Sequence, residues 1–155
     1  MLGIFGREGL DLATLWAPPT FDQPGAYAFR MYRNYDGQHH TFGDVSVHAA
    51  STDQDQLAVY AARRSSDNAL TIMVINKSLT QALTGSMVLS NTNPITRAAV
   101  YRYSAANPSA IARQADQIIA SGSFSATLPA QSITLFVTSP GNPLDKLVFL
   151  PIVLK

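Results

Sequence analysis

Glutamate occurs once in the sequence, at Glu8, directly after Arg7 in the glycine-flanked turn Gly6-Arg7-Glu8-Gly9. A single carboxylate beside a guanidinium in such a turn reads as a structural ion pair, and there is no second glutamate with which to build a paired acid and base. His39 and His40 are adjacent, so their rings leave the backbone in different directions, and no third ligand lies at metal-binding spacing. A solvated loop accounts for them better than a metal does. Asp53 and Asp55, in STDQDQ, have the alternate spacing of a calcium loop without its remaining ligands or its glycine, which leaves a solvated turn. Serines abound, yet none sits in a G-x-S-x-G elbow. With no cysteine, thiolate zinc sites, iron–sulfur clusters and cysteine nucleophiles are excluded. No metal and no cofactor is expected.

The elements that would position these residues come from a chain of 155 residues, long enough for one ordinary domain. A domain of that size buries roughly 70% of its unfolded surface and needs no disulfide or metal staple. The net charge is +1, charged residues make up 14%, and Lys and Arg are scattered singly apart from Arg63-Arg64. That pattern has no electrostatic footprint for nucleic acid. The first residues lack the basic region and cleavage site of a signal peptide, and an apolar strand signal, Leu2-Gly3-Ile4-Phe5, begins almost at once with no pairing partner nearby. The chain is therefore expected to be the back end of something longer.

The strongest element signal is a hairpin, LAVYAAR at 57–63 and LTIMVIN at 70–76, joined by the turn 64–69. Both faces of both strands are apolar, so both should be covered, and a neighbour outside this chain is the expected cover for one of them. Before it, residues 2–5 read as a short strand, the loop carries Trp16 and Pro18-Pro19, and 25–35 has helical spacing ending at Asp36-Gly37. From residue 44 onward the runs 45–49, 57–63, 70–76, 86–89, 98–103, 123–128 and 132–138 are short, apolar or alternating, and bounded by turn residues. Such a series predicts an antiparallel β-sandwich of about seven or eight strands. Tyr101 and Tyr103 share one face of their strand, opposite Val100 and Arg102. In the last strand Ile133, Leu135 and Val137 form the inner face, with Phe136 outward. The stretch 107–119 fits a helical turn or a loop. After the breaker 139–143, the apolar run 147–154 is interrupted by Pro151 and falls far short of the roughly 20 residues of a membrane helix. It reads as an edge strand or a disordered end, or else as a sorting or docking tail.

LGIFGREGLDLATLW, AFRMYRNYDG, FGDVSV, LAVYAARRSSDNALTIMVINK, AAVYRYSAAN and LPAQSITLFV, in that order, resemble the C-terminal part of glycoside hydrolase family 44, the endo-β-1,4-glucanases and xyloglucanases. The resemblance covers residues 2–138. It implies that residues 1–43 are the remnant last βα unit of a (β/α)8 barrel, with its strand at 2–5 and its helix near 25–35. Residues 44–138 would be the β-sandwich domain, and 139–155 a linker and apolar tail. The family's retaining mechanism uses two glutamates about 5–5.5 Å apart on earlier barrel strands. No position here matches either, so no catalytic residue is expected and the chain is expected to be inactive alone.

The resemblance further implies an extracellular protein whose sandwich packs against its own catalytic barrel, with β-1,4-glucan or xyloglucan bound through that barrel. Trp16, in the loop after the last barrel strand, would be an aromatic platform for a glucose ring, and Arg7 and Glu8 would stand near the cleft. The alternative is a free-standing, non-catalytic carbohydrate-binding module. That reading requires two or three of Tyr60, Tyr101, Tyr103 and Phe136 to lie coplanar on an exposed face.

Overall fold

The computed structural model describes residues 1–90 and 95–138, together with the backbone course of 150–154. The hairpin forms as read: β3 (Leu57–Arg63) pairs antiparallel with β4 (Leu70–Asn76) from Leu57↔Asn76 to Arg63↔Leu70. β4 in turn pairs with β9 (Ser132–Thr138), and β9 with β6 (Arg97–Ser104), which places β4 and β9 at the centre of a sheet. β1 (Val45–Val47) closes one edge on β3, and β7 (Asn107–Ile118) closes the other on β6. The order is β1-β3-β4-β9-β6-β7. A second sheet runs β2 (Ala49–Ser51), β10 (Leu150–Leu154), β5 (Leu83–Val88), β8 (Ser123–Leu128).

Strand alternation divides the large sheet's side chains between two cores. On one face Leu57, Val59, Ile72, Val74, Val100 and Phe136 meet Met87, Phe124 and Leu128 of the small sheet. On the other face Ala58, Tyr60, Ala62, Met73, Leu135 and Val137 lie beneath Tyr27, Met31 and Tyr35. Those three side chains project from α2 (Pro24–Arg33) and the turn after it. The helix starts where Pro24 supplies the fixed φ of a first turn and ends with Arg30 and Arg33 in its last turn, where the dipole favours cations. Its placement answers the expectation of an outside neighbour for the hairpin. The cover for the second face is α2, within this chain.

Several expectations are corrected. Residues 2–5 are not a strand but part of α1 (Leu2–Arg7). An isolated strand at 2–5 would leave its backbone groups unpaired, whereas a helical turn satisfies them locally, with the Phe5 and Glu8 amides donating to the Met1 and Ile4 carbonyls. The stretch 107–119 is neither helical turn nor loop but the long edge strand β7. Residues 45–49 divide at His48, β1 joining the large sheet and β2 the small one. Phe136 faces the core between the sheets, because β9 is central and covered on both sides. The strand 150–154 is interior to its sheet, not an edge. The breaker 139–143 and the start of the tail, 144–149, lie outside the described residues.

Candidate functional site

Outward from α2, the chemistry of the molecule changes. α1 docks on the face of the large sheet that α2 covers, at Tyr60, and the loop 8–23 is exposed along most of its length. Within α1 only Gly3 is buried. Its α-carbon lies so close to the Tyr60 ring that an added Cβ would stand 2.4 Å from it, so a glycine is required for the helix to dock there. In the same N-terminal segment Met1, Leu10, Leu12, Leu15 and Phe21 are exposed, and Trp16 is fully so, at 105% of its reference area. Between α1, the loop and α2 lies an open groove of about 1110 Å³, walled by Phe5, Leu15, Pro18 and Phe29 and floored by Ile75 and Ile133. A smaller cavity of about 550 Å³ separates α1 from β1 and β3.

Tyr32 belongs to the walls of both. Its ring packs edge-on against Phe42 at 5.0 Å, and its hydroxyl is buried with no hydrogen-bond partner among the described residues. Burial pushes that phenol far above its ordinary pKa, with Tyr60 adding to the effect. A buried hydroxyl without a partner forgoes about 1–3 kcal/mol.

By contrast, the underside of α2 is fully bonded. Tyr27 stacks on Tyr103 at 4.6 Å and donates its hydroxyl to the Ser109 carbonyl at 2.6 Å. Arg64 forms a bidentate pair with Asp67, at 2.9 and 2.7 Å, and also donates to the Tyr35 hydroxyl at 2.9 Å and the Thr41 carbonyl at 3.2 Å. That guanidinium ties the chain after α2 to the hairpin turn. It also holds the Asp67 carboxyl below the usual carboxylate range, and Asp67 in return raises the guanidinium's own pKa.

The residues singled out for chemistry do not converge. Glu8 bonds its neighbour Arg7 at 2.7 Å, both side chains being more than half exposed. His40 shares a 2.5 Å hydrogen bond with Asp36, a local contact across one turn. Although burial acts to raise Asp36, hydrogen bonds from the Gln38 amide and from His40 hold it lower. His39 takes a left-handed backbone with φ 65°, its amide donating to Asn34. Asp53 accepts the amides of Asp55 and Gln56 at 3.1 and 3.0 Å, so its carboxylate caps the turn into β3. Of the aromatics required for a sugar-binding face, Tyr60, Tyr103 and Phe136 are buried in the cores and form no exposed platform. Sequence reasoning gives Tyr27, Tyr32 and Tyr35 to the packing face of the helix and passes over Arg64. For Arg64 the signal was Asp67 three residues on.

No family model matches the chain. Among solved structures, CelM2, a bifunctional glucanase-xylanase from a metagenome library, superimposes with a TM-score of 0.85 over 90% of this chain, at 46% identity. A Paenibacillus polymyxa xyloglucanase from glycoside hydrolase family 44 superimposes over 89%, with a TM-score of 0.81 and 29% identity. The chain belongs with the C-terminal part of glycoside hydrolase family 44. It spans about a quarter of those structures, 27% of each. Endoglucanase A of Paenibacillus lautus is 30% identical over 132 residues, which is 84% of this chain and 19% of that protein. Among the described residues, large apolar side chains are exposed in the N-terminal region at Leu10, Leu12, Leu15, Trp16 and Phe21, and in the sandwich at Leu79, Val88 and Ile118.

Proposed function

We propose that this chain is the non-catalytic β-sandwich module of a glucan-degrading family 44 hydrolase, and that the face built by residues 1–29 rests on the catalytic barrel. The observation that carries this reading is the open groove, lined by Met1, Leu2, Phe5, Leu10, Leu15 and Phe29, in a segment that also leaves Leu12, Trp16 and Phe21 exposed. An apolar surface of that kind marks a place that something covers. With one glutamate, Glu8, the chain lacks the two glutamates of the family's retaining mechanism, which lie on earlier barrel strands, so hydrolysis resides in the barrel. In the assembled enzyme Trp16 offers a flat apolar face to a glucose ring of a β-1,4-glucan or xyloglucan, outside the cell. Residues 1–43 serve as the remnant of the barrel's last βα unit and 44–138 as the sandwich, whose small sheet is completed by β10.

The test is isothermal titration of the purified chain with cellohexaose and xyloglucan oligosaccharides, run beside a reducing-sugar assay on carboxymethyl cellulose. Silence in both supports the structural module. Heat of binding without hydrolysis favours the free-standing carbohydrate-binding module, and hydrolysis overturns the assignment of chemistry to the barrel.

A further inference from the structure

Among the described residues one buried side-chain polar atom has no hydrogen-bond partner, and it is the Tyr32 hydroxyl on α2. Tyr27 and Met31, one turn apart, seat that helix on the large sheet. Gly25, Ala28, Phe29 and Tyr32 line the open groove instead. Their spacing, i, i+3, i+4 and i+7, is one continuous stripe, so the helix has two apolar faces and only the first is enclosed.

The groove limits what the second face can take. Its one charged lining residue is Asp11. A carboxylate entering there would meet no cation and would face that aspartate, whereas apolar and uncharged polar groups meet no such penalty. Burial keeps the Tyr32 phenol neutral, so it has an O–H to donate. Solvent does not reach that hydroxyl, and a partner reaches it by moving a wall. α1 is the wall least held, with six residues, no side-chain cap and Gly3 alone buried. A large partner is available in the relatives, since this chain spans 27% of CelM2 and 27% of the xyloglucanase.

We propose that the stripe Gly25, Ala28, Phe29 and Tyr32 is the seat of the catalytic barrel, and that the barrel supplies an uncharged acceptor, a main-chain carbonyl or carboxamide oxygen, to the Tyr32 hydroxyl. Resting on the reading that the N-terminal face meets the barrel, this contact adds the side chain that fixes how the two parts register. The stripe provides area without direction. A hydrogen bond to a buried phenol has direction, and a wrong alignment leaves the hydroxyl unpaired.

Tyr32→Phe removes the hydroxyl and keeps the ring, and its effect should change sign with the barrel. In the isolated chain, where the hydroxyl is unpaired, the variant should raise Tm by roughly 2–4 °C. In CelM2 carrying this chain in place of its matching 27%, the same variant should lower Tm by roughly 1–2 °C, a smaller shift because the protein is longer. An unchanged or lower Tm in the isolated chain shows that the hydroxyl is already satisfied, and no fall in the chimera shows that the barrel brings no acceptor. Either result overturns the contact. Phe29→Asp in the chimera tests the seat separately, because it places a charge where the barrel would lie. It should lower Tm by more than Tyr32→Phe does, and an unchanged Tm there overturns the barrel reading itself.

Discussion

Between residues 57 and 76 apolar side chains are enclosed on both faces of a hairpin, while between residues 1 and 29 side chains of the same kind stand in the open. Hydrophobicity is comparable in the two regions, and the difference lies in what each can reach. β3 and β4 are flanked by other strands and roofed by α2, so alternate side chains find separate cores at roughly 1.5–3 kcal/mol per large residue buried. α1 is six residues long, carries Gly3 and Gly6, has no side-chain cap, and lies below the length at which a helix sustains itself.

Substitutions should separate the two regions. The largest effect is expected at Phe136→Ala, which empties a fully buried site against Phe124 and should lower unfolding free energy in urea by about 3–5 kcal/mol. Next is Arg64→Met. It strands Asp67, the Tyr35 hydroxyl and the Thr41 carbonyl, and should cost about 2–3 kcal/mol, less than the ~3–5 of a wholly buried pair because Asp67 keeps some access to water.

Asp67→Asn should cost about 1.5–2 kcal/mol at neutral pH, as the loss of charged hydrogen bonds does. Its pH dependence carries a sign. The folded carboxyl lies below its unfolded value, so its contribution is present above the unfolded pKa of about 3.9 and is lost as pH falls through the folded one. Denaturation curves of the two proteins should therefore converge in strong acid.

At the docking glycine, Gly3→Ala should free α1 from Tyr60 and quicken proteolysis within residues 1–23, while moving global stability by less than about 1 kcal/mol. Smallest of all, Trp16→Ala should leave stability within about 0.5 kcal/mol. A larger loss there would mean that the open region is part of the sandwich's own core, and the comparison would fail.

How much of this could be read beforehand obeys the same division. The hairpin, β8 and β9 match the sequence reading to the residue, because turn residues bracket them and their apolar alternation is unbroken. Residues 2–5 were misjudged because a four-residue apolar run fits strand or helix equally, and pairing decides between them. β7 was missed because Pro108 and the polar run Arg113-Gln114 disguise an edge strand, and edges favour such residues. Trp16, the sole tryptophan, stands exposed in its loop and is not among the residues that line the groove. The fit of Gly3 to Tyr60 and the solitary Tyr32 hydroxyl were not legible, since both arise from residues brought together only by the fold.

The fastening of α2 determines how a larger protein would move. Tyr27 fixes the helix at β6 and β7, Tyr35 and Arg64 anchor the turn after the helix to the β3–β4 hairpin, and Tyr35 also lies 4.7 Å from Tyr101. No hinge is left between helix and sheet. Any module joined ahead of residue 24 and seated on α2 therefore shares the rotational diffusion of the sandwich, and nuclear relaxation across the pair would return a single correlation time, as for one rigid particle.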